Sequence, residues 1–361
     1  MQSMPTVCAR PWLRSAAAVT ALLACGLAQA AAVQSGTSPR ADGSLIHWSL
    51  TPPLIAAPEA GSPRGVLLVA QGSGCLPASA STSVAAAHAV APALALLTVE
   101  KYGVSPDDRP ADAMADCSQD YRLHHTVSQR AADARQVLRA LRDAPGWNGP
   151  LVLFGGSEGG AVVAQLAPMA HPDAVVVLSS SLGETLATSI RRVVPPPVAQ
   201  QLDGLLAQAR RDPGPGARPV SEWGGNSLRW WADVADTVPV RALLTSAAPV
   251  LLVQGERDAQ APVASARLAQ QAYRDAGHGG LTYWELPGHD HFMVDAHGVD
   301  QRDRVLGLAA GWVADRLAER TARSRTGPDD GVADRPASGS VMPDADLLRW
   351  HRSMRRLQPW G

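Results

Sequence analysis

Pro150-Leu151-Val152-Leu153-Phe154-Gly155-Gly156-Ser157-Glu158-Gly159-Gly160-Ala161 is the stretch on which the reading of the whole chain turns. Leu151 to Phe154 is a short, continuous apolar run bounded by proline and glycine, the mark of a buried strand. A helix is expected from Ala161 to Ala167. Between the two, Gly155 to Gly159 fits the pattern G-x-S-x-G. The pattern alone is weak, but strand before and helix after put Ser157 on a sharp turn with an exposed hydroxyl. The helix N-terminus that follows would favour developing negative charge there. The competing reading is a glycine-rich phosphate cradle. It lacks the form G-x-x-x-x-G-K-[ST], and no lysine stands nearby in the chain.

Working outward, further apolar runs read as strands at Gly43 to Leu50, Gly65 to Ala70, Leu94 to Val99, Ala174 to Leu178, Pro249 to Val253 and Leu281 to Leu286. Helical spacing falls at Ser128 to Leu141, Ala264 to Tyr273 and Val305 to Leu317. Fully apolar strands alternating with helices predict an α/β fold, a doubly wound and mostly parallel sheet covered on both faces. From about 183 to 247 the pattern breaks into short helical pieces punctuated by Pro195-Pro196-Pro197 and Pro213-Gly214-Pro215-Gly216. This segment reads as an insertion, a small helical lid. Residues 31–320 are expected to form the one domain, large enough to bury about three quarters of its unfolded surface.

The ends read differently. Arg10 and Arg14, an apolar stretch from Ala16 to Leu27, and Ala28-Gln29-Ala30 resemble a signal peptide over residues 1–30. That predicts an exported protein, periplasmic or secreted. Leu22-Leu23-Ala24-Cys25 is the alternative, a lipoprotein anchored at Cys25. Residues 321–361 are polar and expected to be a disordered tail, within which Asp344 to Leu357 has the spacing of a short amphipathic helix. Export would leave Cys75 and Cys117 in an oxidising compartment, where two leftover thiols commonly pair. The net charge is −1, which offers no electrostatic case for nucleic acid or, without lipidation at Cys25, for a membrane. No H-E-x-x-H or C-x-x-C spacing occurs, so neither a metal nor another cofactor is expected.

A serine hydroxyl needs a base, and the base needs an orienting carboxylate. Catalytic groups of parallel sheets stand beyond the carboxyl ends of strands. The strand ending at Val253 runs into Gln254-Gly255-Glu256-Arg257-Asp258, which offers Asp258 first and Glu256 as the alternative. The strand ending at Leu286 runs into Pro287-Gly288-His289-Asp290-His291, which offers two histidines.

The order Ser157, Asp258, His291 resembles the α/β-hydrolase superfamily over Gly43 to Arg320. The resemblance implies His291 as base, with His289 the alternative. It implies an oxyanion hole from the backbone N–H of Glu158 and from Ser73 or Gly72. These last stand in Gln71-Gly72-Ser73-Gly74, where glutamine replaces the usual histidine. It implies Trp223, Trp230 and Trp231 of the lid as walls of a substrate pocket, unless they merely dock the insertion. The expected activity is hydrolysis of a small-molecule carboxylic ester or thioester. An acyltransferase or peptidase with the same triad, and a non-catalytic binding module on the same fold, are the alternatives.

Overall fold

The structure, a computed structural model, describes residues 32–55, 64–212 and 225–326. The leader with Cys25, Trp223, and the tail beyond 326 lie outside the described residues. The strands are β1 (Gln34–Pro39), β2 (Leu45–Thr51), β3 (Val66–Ala70), β4 (Ala95–Val99), β5 (Leu151–Gly156), β6 (Ala174–Leu178), β7 (Val250–Gly255) and β8 (Leu281–Leu286). The helices are α1 (Thr82–Ala87), α2 (Gln119–His124), α3 (Val127–Asp143), α4 (Glu158–Ala170), α5 (Leu186–Val193), α6 (Pro196–Arg211), α7 (Leu228–Ala235), α8 (Val240–Leu243), α9 (Val263–Asp275) and α10 (Arg302–Thr326).

The strands form one sheet in the order β1-β2-β4-β3-β5-β6-β7-β8. β3 to β8 run parallel, and the β1–β2 hairpin joins antiparallel at one edge. This is the doubly wound, mostly parallel α/β sheet that the apolar runs predict. Successive side chains of β5 go to opposite faces, as a pleat requires. Leu151 and Leu153 pack with α3 and α4, whereas Val152 and Phe154 pack against α1 and α10. Burying one such side chain is worth about 1.5–3 kcal/mol. Both layers therefore hold the central strands rigidly, and the loops at their carboxyl ends inherit that rigidity.

Three boundaries differ from the sequence reading. β1 was not anticipated, because Gln-Ser-Gly-Thr-Ser-Pro has no apolar alternation; an edge strand can be held by its ladder bonds to β2. α4 starts at Glu158, not Ala161, with glycines in its first turn and Pro168 inside it. α10 runs to Thr326, into the segment read as a disordered tail; Arg320 pairs with Asp173 at 2.6 Å on the way.

The carboxyl ends of β3 and β5 are neighbours, yet the chain leaves them in opposite directions across the sheet. Such a point leaves a crevice above the sheet. The segment from α5 to α8 lies over this crevice: Leu186, Trp230, Val234, Thr237 and Pro239 contribute to its lining. α7 is started by Ser227, whose hydroxyl accepts the Trp230 N–H at 3.2 Å.

Candidate active site

Ser157 follows β5 directly and caps α4, with φ 53° and ψ −124°. A non-glycine residue in that region is strained and persists only where its surroundings hold it. Here the surroundings do so. The Ser157 N–H donates to Leu178 O at 2.9 Å, and the Gly160 N–H to Ser157 O at 2.9 Å. The turn is possible only because Gly159 lacks a side chain: a Cβ there would stand 2.0 Å from Ala70 O. The missing side chain is also what lets the end of β3 lie against the start of α4.

Asp258 and His291 meet at the ends of β7 and β8. His291 Nδ1 lies 2.8 Å from Asp258 Oδ2 and 3.0 Å from Oδ1. The Asp258 side chain is fully buried. Its remaining acceptor capacity is taken by Gln254 Nε2 at 2.7 Å and the N–H groups of Gln260 at 2.8 Å and Ala261 at 2.7 Å. A buried carboxylate so bonded is fixed in place, and it fixes the imidazole against it. The His291 backbone is tied to β6, because the Ser179 hydroxyl donates to His291 O at 2.9 Å. Ser179 follows Leu178, the residue that accepts the Ser157 N–H, so the histidine loop crosses back over β7 to the strand beside Ser157.

The two alternatives stand apart from this arrangement. His289 is buried, and its Nδ1 lies 2.8 Å from Pro287 O. Glu256 is exposed and accepts the Gly288 N–H at 2.9 Å, bracing the turn before the histidines.

On the opposite side of Ser157 lies the loop Gln71 to Gly74. Gly72 is so close that a Cβ on it would be 3.3 Å from Ser157 Cβ. Ser73 lines the crevice, and its hydroxyl donates to Glu158 Oε2 at 3.2 Å. Cys75, next in the chain, is disulfide-bonded to Cys117 with Cα atoms 5.5 Å apart. Behind the loop lies a group of buried charges that sequence reasoning missed. Arg130 Nη1 donates to Glu158 Oε1 at 2.7 Å, and His125 Nε2 lies 3.2 Å from the same oxygen. Burial works to raise the Glu158 pKa, but His125, Arg130 and Lys101 outweigh it and hold the carboxyl ionised. Burial lowers the His125 pKa, against the pull of Glu158 beside it. Burial also pushes Lys101 down to about 7 and raises its neighbour Glu100 to about 7. The signal available in the sequence was that Lys101, the sole lysine of the chain, directly follows an acidic residue at the end of a strand.

The crevice itself is a cavity of ≈ 210 Å³. Ser157, Glu158 and the serines 179, 180 and 181 form its floor; Val127, Ala161, Leu186, Trp230, Val234 and Pro239 give apolar walls. Trp230 is on that wall. Trp231 is not: it packs edge-on against Trp230, ring centres 4.9 Å apart, within the core. Consecutive helix residues point about 100° apart, so only one of the pair can face the crevice.

Sheet order, strained serine turn and the Asp258–His291 pair at adjacent strand ends are those of the α/β-hydrolase fold. The chain has that fold, as the strand pattern and motif order suggest. The family model described as TAP-like protein matches residues 228–302. Among solved structures, a puromycin-hydrolyzing peptidase of Mycobacterium tuberculosis superposes with TM-score 0.55 at 20% identity. That match covers 79% of this chain and 39% of the peptidase, so the chain spans about two fifths of the length of that relative. Est1E from Butyrivibrio proteoclasticus gives TM-score 0.51 at 14% identity, over 79% of this chain and 99% of Est1E. The DcsB complex with its substrate analogue gives 0.54 at 16% identity, over 80% and 100%. No curated protein sequence matches the chain.

Proposed function

We propose that this chain is a serine hydrolase that cleaves a small-molecule carboxylic ester or thioester through an acyl-enzyme on Ser157. The observation that carries the reading is the Asp258–His291 pair at 2.8 Å, tied through Ser179 to the end of β6, the strand next to the one that ends in a strained serine. Ser157 Oγ attacks the acyl carbonyl, and His291 Nε2 takes its proton. Asp258 keeps the proton on Nδ1 and stabilises the imidazolium that forms. The N–H of Glu158 and that of Ser73 or Gly72 receive the oxyanion. His291 then protonates the leaving alcohol or thiol. Water, deprotonated in turn by His291, releases the acid.

The apolar walls favour an uncharged acyl group, and ≈ 210 Å³ is small beside the 300–1,000 Å³ of drug-sized pockets. Short and medium acyl chains are therefore the expected substrates. An acyltransferase or a peptidase would use the same groups, and product analysis with alcohol, amine and peptide substrates separates these. The Cys75–Cys117 disulfide supports export to an oxidising compartment after removal of residues 1–30. The mass of the mature protein distinguishes cleavage after Ala30 from lipidation at Cys25.

The test is labelling with a fluorophosphonate probe together with a panel of p-nitrophenyl esters of graded acyl length. Wild type should label and turn over. The Ser157→Ala variant should do neither. Turnover retained by that variant would rule the reading out, and a folded wild type inert towards probe and panel alike would favour a binding module.

A further inference from the structure

Carbonyl groups of the loop Gln71 to Gly74 are held by two buried basic side chains. Arg130 Nη2 donates to Gln71 O at 2.6 Å. Lys101 Nζ donates to Gly72 O at 2.7 Å and also to Gly74 O. Arg130 and Lys101 are 7% and 3% exposed, whereas most other arginines among the described residues face solvent. Burying a charge is costly, and Arg130 does so while balanced by Glu158, the residue that follows the serine.

A trans peptide is planar, so its C=O and the next residue's N–H point in opposite directions. Arg130 on Gln71 O therefore turns the Gly72 N–H away from itself. Lys101 on Gly72 O does the same to the Ser73 N–H. The Gly74–Cys75 peptide is spent at both ends, with Gly74 O on Lys101 and the Cys75 N–H donating to Ala113 O at 2.8 Å. Among the described residues neither the Gly72 nor the Ser73 N–H donates to another backbone or side-chain group. The structure leaves these two donors turned from Lys101 and Arg130, with Gly72 against Ser157.

We propose that Lys101 and Arg130 are positioning residues that aim the oxyanion-binding N–H groups of Gly72 and Ser73, with the Glu158 carboxylate locking the loop to the serine turn. This rests on the acyl-enzyme reading above. Three contacts converge on the lock: Arg130 bridges Gln71 O and Glu158 Oε1, and Ser73 Oγ reaches Glu158 Oε2. The Glu158 side chain and the loop are thus tied to each other. The interaction is made to the backbone and not to substrate, so its removal is read in the transition state and not in substrate affinity.

The experiment compares Lys101→Met, Lys101→Gln, Arg130→Met and Arg130→Gln with wild type and Ser157→Ala on one p-nitrophenyl ester. Inhibition by phenylboronic acid, whose tetrahedral serine adduct uses the same donors, is measured alongside. Deleting an oxyanion donor outright costs on the order of 10²–10³ in kcat. Misaiming is expected to lower kcat about tenfold or more, with KM within about threefold. Phenylboronic acid should weaken in step with kcat/KM, and glutamine, which still donates, should be less damaging than methionine. Where a methionine variant does not fold, its glutamine partner decides. Folded variants at both positions with wild-type kcat and boronate affinity would overturn the proposal; so would a rise in KM with kcat unchanged. If Ser157→Ala stays active, it is the acyl-enzyme reading that fails. If Ser157→Ala is inert while the Lys101 and Arg130 variants match wild type, only this inference falls.

Discussion

The hydroxyl of Ser179 donates to the backbone carbonyl of His291 at 2.9 Å, joining the end of β6 to a loop 112 residues further along the chain. Ser179 has φ 52°, so it holds a strained conformation at the point where it makes this bond. The bond ties the histidine loop across β7 to the end of β6, the strand next to β5. Ser179→Ala should therefore lower kcat, on the order of tenfold, with KM little changed, because a small misplacement of a catalytic group is costly. Steady-state kinetics check it; a kcat equal to that of wild type would show that Asp258 alone positions the ring.

The two neighbouring histidines should separate cleanly. His291→Ala should abolish ester turnover while leaving the fold intact. His289→Ala should keep turnover and instead lose about 1–3 kcal/mol of stability, since it removes a buried ring whose Nδ1 meets Pro287 O. Denaturant unfolding and ester assays on both variants are the measurement, and the reverse pattern would reassign the base.

Glu100 makes stability depend on pH in a direction opposite to an ordinary surface carboxylate. Burial raises its pKa from 4.5 to about 7, so between those values the folded state holds a proton that the unfolded chain has released. Its contribution is present below pH 4.5 and is lost as pH rises through 7, at up to about 1.4 kcal/mol per pH unit. Glu100→Gln lacks that loss. The Tm of the variant relative to wild type should therefore rise from pH 4.5 to 7, and parallel Tm curves would contradict the assignment.

Trp230 and Trp231 are adjacent and both buried, but only Trp230 walls the crevice. Truncating either to alanine should cost about 3–5 kcal/mol. Trp230→Ala alone should shift the preferred p-nitrophenyl ester to longer acyl chains. An equal shift in both variants would mean that the wall is set by the whole helix.

The Cys75–Cys117 disulfide closes a 42-residue separation and ends the loop beside Ser157. In the chain-entropy view a closure of that length is worth about 4 kcal/mol. Cys117→Ser should lower Tm accordingly, and kcat should fall at temperatures where the variant is still folded. Loss of Tm without loss of kcat would confine the disulfide to stability.

Much of this arrangement was legible because it is local. Leu151 to Phe154 and the glycines around Ser157 state a strand and a tight turn within a dozen residues, and the apolar runs state a parallel sheet. Asp258 and His291 could be nominated from their places just beyond strands. β1 was not legible, since its pairing depends on a partner strand and not on its own composition. Nor was the full extent of α4, whose first turn is glycine because of what Ala70 O leaves no room for.

Which of His289 and His291 pairs with Asp258 was decided by which ring reaches it when β7 and β8 lie side by side. Likewise, only packing brings Lys101, Arg130 and Glu158 together behind one loop. Local order along a chain encodes turns and strands, because those depend on neighbours. A hydrogen bond between distant residues depends on where two rigid layers put their ends, and the three-dimensional fold alone supplies that.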